Sequence, residues 1–120
     1  MASESNQTLA SINSEYLCQH WFNSYEEEQQ TEKREIYRPK YFRESWASWF
    51  RMQYIFYKNG DCEWLCPDPL DRHHFKPGKW QVDPNDESIL QITTDETTMS
   101  YRVTELKKDI LRLARIKPNT

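Results

Sequence analysis

The stretch RMQYIFYKNGDCEWLC, Arg51 to Cys66, places an Asn-Gly pair between two aromatic-rich runs. Such a pair between apolar runs is a strong short-range signal for a β-hairpin. Two registers compete. A two-residue turn over Asn59-Gly60 pairs Lys58 with Asp61 and mixes apolar and charged side chains on both faces. A type I turn over Lys58-Asn59, with Gly60 left-handed in a bulge, pairs Tyr57 with Asp61, Phe56 with Cys62, Tyr54 with Trp64 and Met52 with Cys66. One face then carries Met52, Tyr54, Phe56, Cys62, Trp64 and Cys66. The other carries Arg51, Gln53, Ile55, Tyr57, Asp61, Glu63 and Leu65. A slip by one residue exchanges the faces, so the register with a single apolar face is expected. Gly60 suits it, because glycine reaches positive φ without a Cβ penalty.

The same register decides whether Cys62, Cys66, His73 and His74 form a metal site. Four residues apart on a straight strand, the two cysteines have Cα atoms roughly 13 Å apart at about 3.3 Å per residue. A disulfide needs about 7 Å or less, and a shared zinc needs each sulfur at about 2.3 Å. The spacing C-x3-C-x6-H-H also misses the usual zinc patterns. Structural thiols and loop histidines are therefore expected, with no metal and no cofactor. Cys66, His73 and His74 are the residues to inspect if metal is found.

Outward from the hairpin, the chain alternates short apolar runs with turn residues. Strands are expected over 16–25, 34–38, 50–57, 61–66, 78–83, 89–94, 99–106 and 109–116. The pattern is that of an antiparallel meander. Residues 103–116 also fit helical spacing through Val103, Leu106, Ile110, Leu113 and Ala114, with strand–turn–strand preferred. Residues 1–12 are polar and read as a frayed tail, leaving 13–117 as one domain. A chain of 120 residues suffices for one core and not for two. Five Trp, seven Tyr and five Phe supply its bulk.

A net charge of −3, without a dense Lys/Arg patch, argues against binding nucleic acid through phosphates. No run approaches the ~18 apolar residues of a membrane span. The polar N-terminus lacks the apolar core of a signal peptide. Three cysteines, an odd number, suit reduced thiols, so a cytoplasmic protein is expected. Only two glycines, Gly60 and Gly78, leave no room for a Gly-rich phosphate loop. Cys18 and His20 lie two apart on one expected strand and so share a face, but no third group orients them. Glu26-Glu27-Glu28 reads as a solvated acidic loop. The connection Pro39 to Phe50, with Tyr41, Phe42, Trp46, Trp49 and Phe50, reads as a plug over one barrel end, or alternatively as a lid or docking surface.

Several segments carry a resemblance. They are Trp21-Phe-Asn-Ser-Tyr-Glu-Glu27, Ile36-Tyr-Arg-Pro39, Tyr54 to Trp64, Gly78-Lys-Trp80, Leu90-x-Ile92, Tyr101-x-Val103-x-Glu105-Leu106 and Leu111-x-Leu113. Together, over about residues 16–116, they resemble small bacterial lipocalin-like (calycin-like) barrel proteins of unassigned function. The first strand departs from the lipocalin pattern, since it has Trp21 without the glycine of Gly-x-Trp. The resemblance implies an all-β fold, an antiparallel up-and-down barrel of about eight strands.

Barrels of this size either fill with side chains or hold one small ligand. The expected function is non-enzymatic: a lipocalin-like barrel binding a small apolar or aromatic molecule in its interior. Tyr54, Phe56, Trp64, Trp80 and Tyr101 would line it, with Arg38 and Arg51 near the rim. The alternative is a filled barrel acting as an interaction or structural module through its outer face or the aromatic 41–50 connection. The inward set includes Trp21 or Phe22, Met52, Cys62, Val82, Leu90, Ile92, Val103, Leu111 and Leu113. Its bulk favours a small or closed cavity.

Overall fold

The computed structural model describes residues 12–28, 34–44, 46, 51–65, 75–94 and 97–116. A helical turn, α1 (Ser14–Leu17), precedes eight strands. These are β1 (His20–Asn23), β2 (Arg34–Pro39), β3 (Gln53–Phe56), β4 (Asp61–Leu65), β5 (Lys76–Asp83), β6 (Asp86–Thr94), β7 (Thr97–Lys107) and β8 (Ile110–Ile116). All pairings are antiparallel and the sheet closes in the order β1-β2-β8-β7-β6-β5-β4-β3. Among the described residues, no helix is long and apolar enough to cross a membrane.

The hairpin takes the bulged register. Phe56 faces Cys62 and Tyr54 faces Trp64. The Tyr57 amide donates to the Asp61 carbonyl at 3.0 Å, and Gly60 has φ +96°. The expected partner of Met52, Cys66, lies outside the described residues. Residues 103–116 are strand, turn and strand: β7 and β8 join through Lys108-Asp109, with a register shift between Val103 and Glu105.

Strands β3 to β8 run up and down in sequence. Strand β1 lies between β2 and β3, so the β2–β3 connection must return along the barrel past β1. The described part of that connection packs on the outer face of β1. There the Trp46 ring stacks on Phe22 with centroids 5.0 Å apart. The expectation that this aromatic segment plugs a barrel end is thereby corrected for Trp46, while Tyr41 Oη donates to the Lys108 carbonyl at 3.0 Å beside the β7–β8 turn. Residues 47–50, including Trp49 and Phe50, lie outside them.

The first expected strand is also corrected. Tyr16 and Leu17 are helical, and the strand starts at His20. Asn13 caps the turn, its side chain accepting from the Glu15 amide at 2.8 Å. The turns after β3, β5 and β7 share one end of the barrel, and α1 closes that end. Lys58 in the first turn pairs with Glu15 at 2.8 Å, and Gln19 donates to the Lys108 carbonyl at 3.0 Å. Leu17 then points into the core and is fully buried.

The interior is packed. Trp21, Phe56, Cys62, Leu90, Ile92, Val103, Leu111 and Leu113 form one buried cluster with Tyr37, Tyr54 and Tyr101. Met52, Trp64 and Trp80 pack against it while partly buried. Phe22 faces outward and Val82 is only half-buried. Burying one Leu, Ile or Phe contributes on the order of 1.5–3 kcal/mol, so the cluster is the main source of stability.

Candidate ligand site at the barrel mouth

Antiparallel alternation puts the ends of β1 and β8 and the starts of β2 and β3 at the mouth opposite α1. Inward residues there surround a cavity of about 240 Å³ lined by Tyr37, Tyr54, Tyr101, Met52, Glu35, Arg115, Asn23 and Glu28. The tyrosine rings sit in the core, 1%, 4% and 2% exposed for Tyr37, Tyr54 and Tyr101. Burial pushes the Tyr37 and Tyr54 phenols well above their ordinary pKa, so both stay protonated near neutrality.

The hydrogen bonding is uneven. Tyr37 Oη donates to Glu35 Oε1 at 2.9 Å. Glu28 Oε2 accepts from Asn23 Nδ2 at 2.6 Å and from the Ile36 amide at 3.0 Å. The Tyr54 and Tyr101 hydroxyls lie 3.4 Å apart, beyond the ~2.5–3.0 Å of a good O–H···O bond. Arg115 Nη2 is 3.5 Å from Tyr101 Oη and 3.6 Å from Glu35 Oε2. Its guanidinium stands 5.7 Å over the Tyr101 ring, and its side chain is 56% exposed. The floor therefore holds loosely engaged donors above a closed core.

A wider groove of about 480 Å³ lies beside the β3–β4 hairpin, lined by residues including Tyr57, Asn59, Asp61, Glu63 and Lys79. Its polar groups satisfy one another. Lys79 pairs with Asp61, Asn59 Nδ2 donates to Asp61 at 3.0 Å, and Tyr57 Oη donates to Glu63 at 3.3 Å. The mouth is smaller but less saturated.

The sequence-expected lining separates into three places. Tyr54 and Tyr101 are at the mouth. Phe56 lies deeper, stacked on Tyr54 at 5.4 Å and edge-on to Trp80 at 6.2 Å. Trp80 belongs to the closed end, where its Nε1 donates to the Tyr57 carbonyl at 2.7 Å. Trp64 pairs across the sheet with Tyr54, carries the Lys76 ammonium 5.5 Å over its ring, and has a buried Nε1 without a partner.

Neither Arg38 nor Arg51 points into the mouth, although Arg51 stands at the mouth end of β3, where its Nη1 donates to the Asn23 carbonyl at 2.7 Å. Both face outward, where carboxylates hold them. Arg51 donates to Glu26 through Nη1 and Nη2, both at 2.8 Å, and its side chain is fully buried. The Tyr25 and Trp46 rings flank its guanidinium at 4.5 and 4.9 Å. Arg38 donates to Glu27 at 2.9 and 2.7 Å and stacks on Phe42 at 4.1 Å. Arg43 reaches Glu26 at 3.1 Å and Ser24 Oγ at 2.6 Å. The acidic triplet is therefore a fastening hub rather than a solvated loop. Arg51 and Arg38, as hydrogen-bond donors, hold the Glu26 and Glu27 carboxyls down at about 2.

Sequence reasoning missed Tyr37, Glu35 and Arg115. Continuing the alternation of Leu111 and Leu113 by one step points Arg115 inward, so that signal was present. Glu35 and Tyr37 were legible only once Tyr37 was paired with Leu111 in the closing β2–β8 ladder. Cys18 and His20 do not share the strand on which the sequence places them together. His20 Nε2 bonds Gln53 Oε1 at 2.8 Å, and Cys18 precedes the strand. Burial pushes the Cys62 thiol up to about 11 and raises that of Cys18. Cys66, His73 and His74 lie outside the described residues. No protein-family model, curated protein or solved structure matches the chain.

Proposed function

We propose that the protein is a non-enzymatic binding module that takes a small molecule at the open mouth of its barrel, over the Tyr37–Tyr54–Tyr101 floor. The observation carrying this reading is a cavity of about 240 Å³ with buried hydroxyls and an exposed guanidinium converging on it. Ligand pockets commonly measure about 300–1,000 Å³, so the occupant is a single-ring or short-chain compound. A filled interior moves the expected ligand from the barrel centre to its rim, and from purely apolar to one with a polar end. Thiols held protonated by burial support the non-enzymatic reading. The free cysteines Cys18 and Cys62 support a cytoplasmic setting, and a net charge of −3 supports a partner other than nucleic acid.

A second reading has its own observation. Tyr25, Tyr41 and Phe42 are 44%, 64% and 39% exposed beside the arginine–glutamate hub. Exposed rings in one region suit protein contact. Amide and tyrosine-ring NMR spectra recorded against a library of single-ring compounds separate the two. Shifts gathered on Tyr37, Met52, Tyr54 and Tyr101 are expected. Shifts confined to Tyr57, Asp61 and Lys79, or none at all, count against the mouth.

A further inference from the structure

We infer that the group accepted by this mouth is a carboxylate, held by the free phenol proton of the Tyr54–Tyr101 pair and by Arg115. This rests on the mouth being the binding site and names the chemistry of its ligand.

The inference follows from counting protons. Three phenols bring three. That of Tyr37 goes to Glu35. The Tyr54 and Tyr101 hydroxyls meet each other, and a single hydrogen bond between them uses one of their two protons. Whichever of them donates, the other proton has no acceptor among the described residues. Buried polar hydrogens normally find acceptors, so this one calls for an acceptor from outside the protein. Arg115 adds to the excess. Its contacts of 3.5 Å to Tyr101 and 3.6 Å to Glu35 are too long to satisfy its N–H groups.

Among the acceptors, one oxygen of each glutamate is engaged at short range. Glu35 Oε1 takes the Tyr37 proton, and Glu28 Oε2 takes both the Asn23 amide and the Ile36 N–H. An amine would bring further donors to a floor already rich in them. A neutral carbonyl would answer the phenol and leave Arg115 with only its long 3.6 Å ion pair to Glu35. A carboxylate answers both: one oxygen receives the phenol proton, and the other receives Arg115. The Arg115 side chain, more than half exposed, is free to turn from Glu35 toward it. The cavity volume limits the remainder to about one ring.

The test is an NMR titration of ring-labelled tyrosine protein with benzoate, benzamide and benzylamine, on the native chain, Arg115→Met and Tyr54→Phe. Benzoate should shift the Tyr54 and Tyr101 signals and bind roughly tenfold or more tighter than benzamide, as charge-assisted hydrogen bonds require. Arg115→Met should abolish that preference. Tyr54→Phe, which leaves the Tyr101 proton free, should still bind benzoate with the Tyr101 signal reporting it, whereas adding Tyr101→Phe should weaken benzoate as read at the Tyr37 ring. Benzamide or benzylamine binding at the tyrosines as tightly as benzoate would overturn the carboxylate and leave the pocket standing. Silence of the mouth tyrosines toward all three probes would overturn the pocket and this inference together.

Discussion

Gly78 stands opposite Cys62 on the inward face of β5. A Cβ there would lie 2.8 Å from the Thr93 carbonyl oxygen and 3.2 Å from Cys62 Sγ. The carbonyl belongs to a paired strand and cannot yield cheaply. Gly78→Ala should therefore cost about 1–3 kcal/mol in urea denaturation, the usual penalty of overpacking. A variant as stable as the native chain would show that β5 and β6 part without cost at this position. Gly60 was legible beforehand because its constraint is local: only one turn type gives the hairpin a single apolar face. Gly78 was not, because what crowds it comes from β6, fifteen residues further along the chain. The mouth residues divide the same way. Tyr54 follows from the hairpin alone, whereas Glu35 and Arg115 meet only through the β2–β8 ladder.

The 3₁₀ turn Tyr25–Glu27 and the β2–β3 connection hold each other against the outside of the barrel. Arg51 is the centre of that contact, buried between two rings and two carboxylate oxygens. Glu26→Gln should destabilise by about 3 kcal/mol, the lower end for a broken buried pair, because the Glu26 side chain is 37% exposed. In a double-mutant cycle, Glu26→Gln with Arg51→Met should lose less than the two single losses summed. Strict additivity would mean that the pair does not interact.

The same turn sets an acid response. Glu26 and Glu27 have folded pKa values of about 2 against an ordinary 4.5. The depressed folded value means that their contribution is full above about pH 4.5–5 and is lost as pH falls toward 2. The urea midpoint should fall between about pH 6 and pH 3, and Glu27→Gln should flatten that fall. An unchanged slope in the variant would remove Glu27 from the hub. Glu26 and Glu27 look solvated in the sequence because their partners, Arg38, Arg43 and Arg51, are eleven to twenty-five residues away. The short helix α1 escaped for a related reason. Its Tyr16 and Leu17 suit a strand, and the Asn13 cap together with docking on the β3–β4 and β7–β8 turns makes it helical.

At the scale of the whole molecule, alternation was enough to read eight strands in an antiparallel meander, and the closed barrel was what the resemblance implied. Side chains every second residue on β3 to β8 point to one interior, and neighbouring strands pair in sequence. Alternation says nothing about which strands close the barrel, so the place of β1 between β2 and β3 was not legible, nor was the face on which the connecting segment lies. Interior volume was legible only in direction. Large inward residues predicted little space, and the core is packed, with Leu17 filling the end beneath Trp21. What remains is the mouth, whose loosely engaged donors carry the proposed binding site. A crystal structure of the protein soaked with benzoate tests this most directly. The account predicts a carboxylate within hydrogen-bond reach of the Tyr54–Tyr101 hydroxyl pair and Arg115. Benzoate lodged among Phe56, Leu90 and Leu113, or lying only on the outer groove beside Asp61, would contradict it.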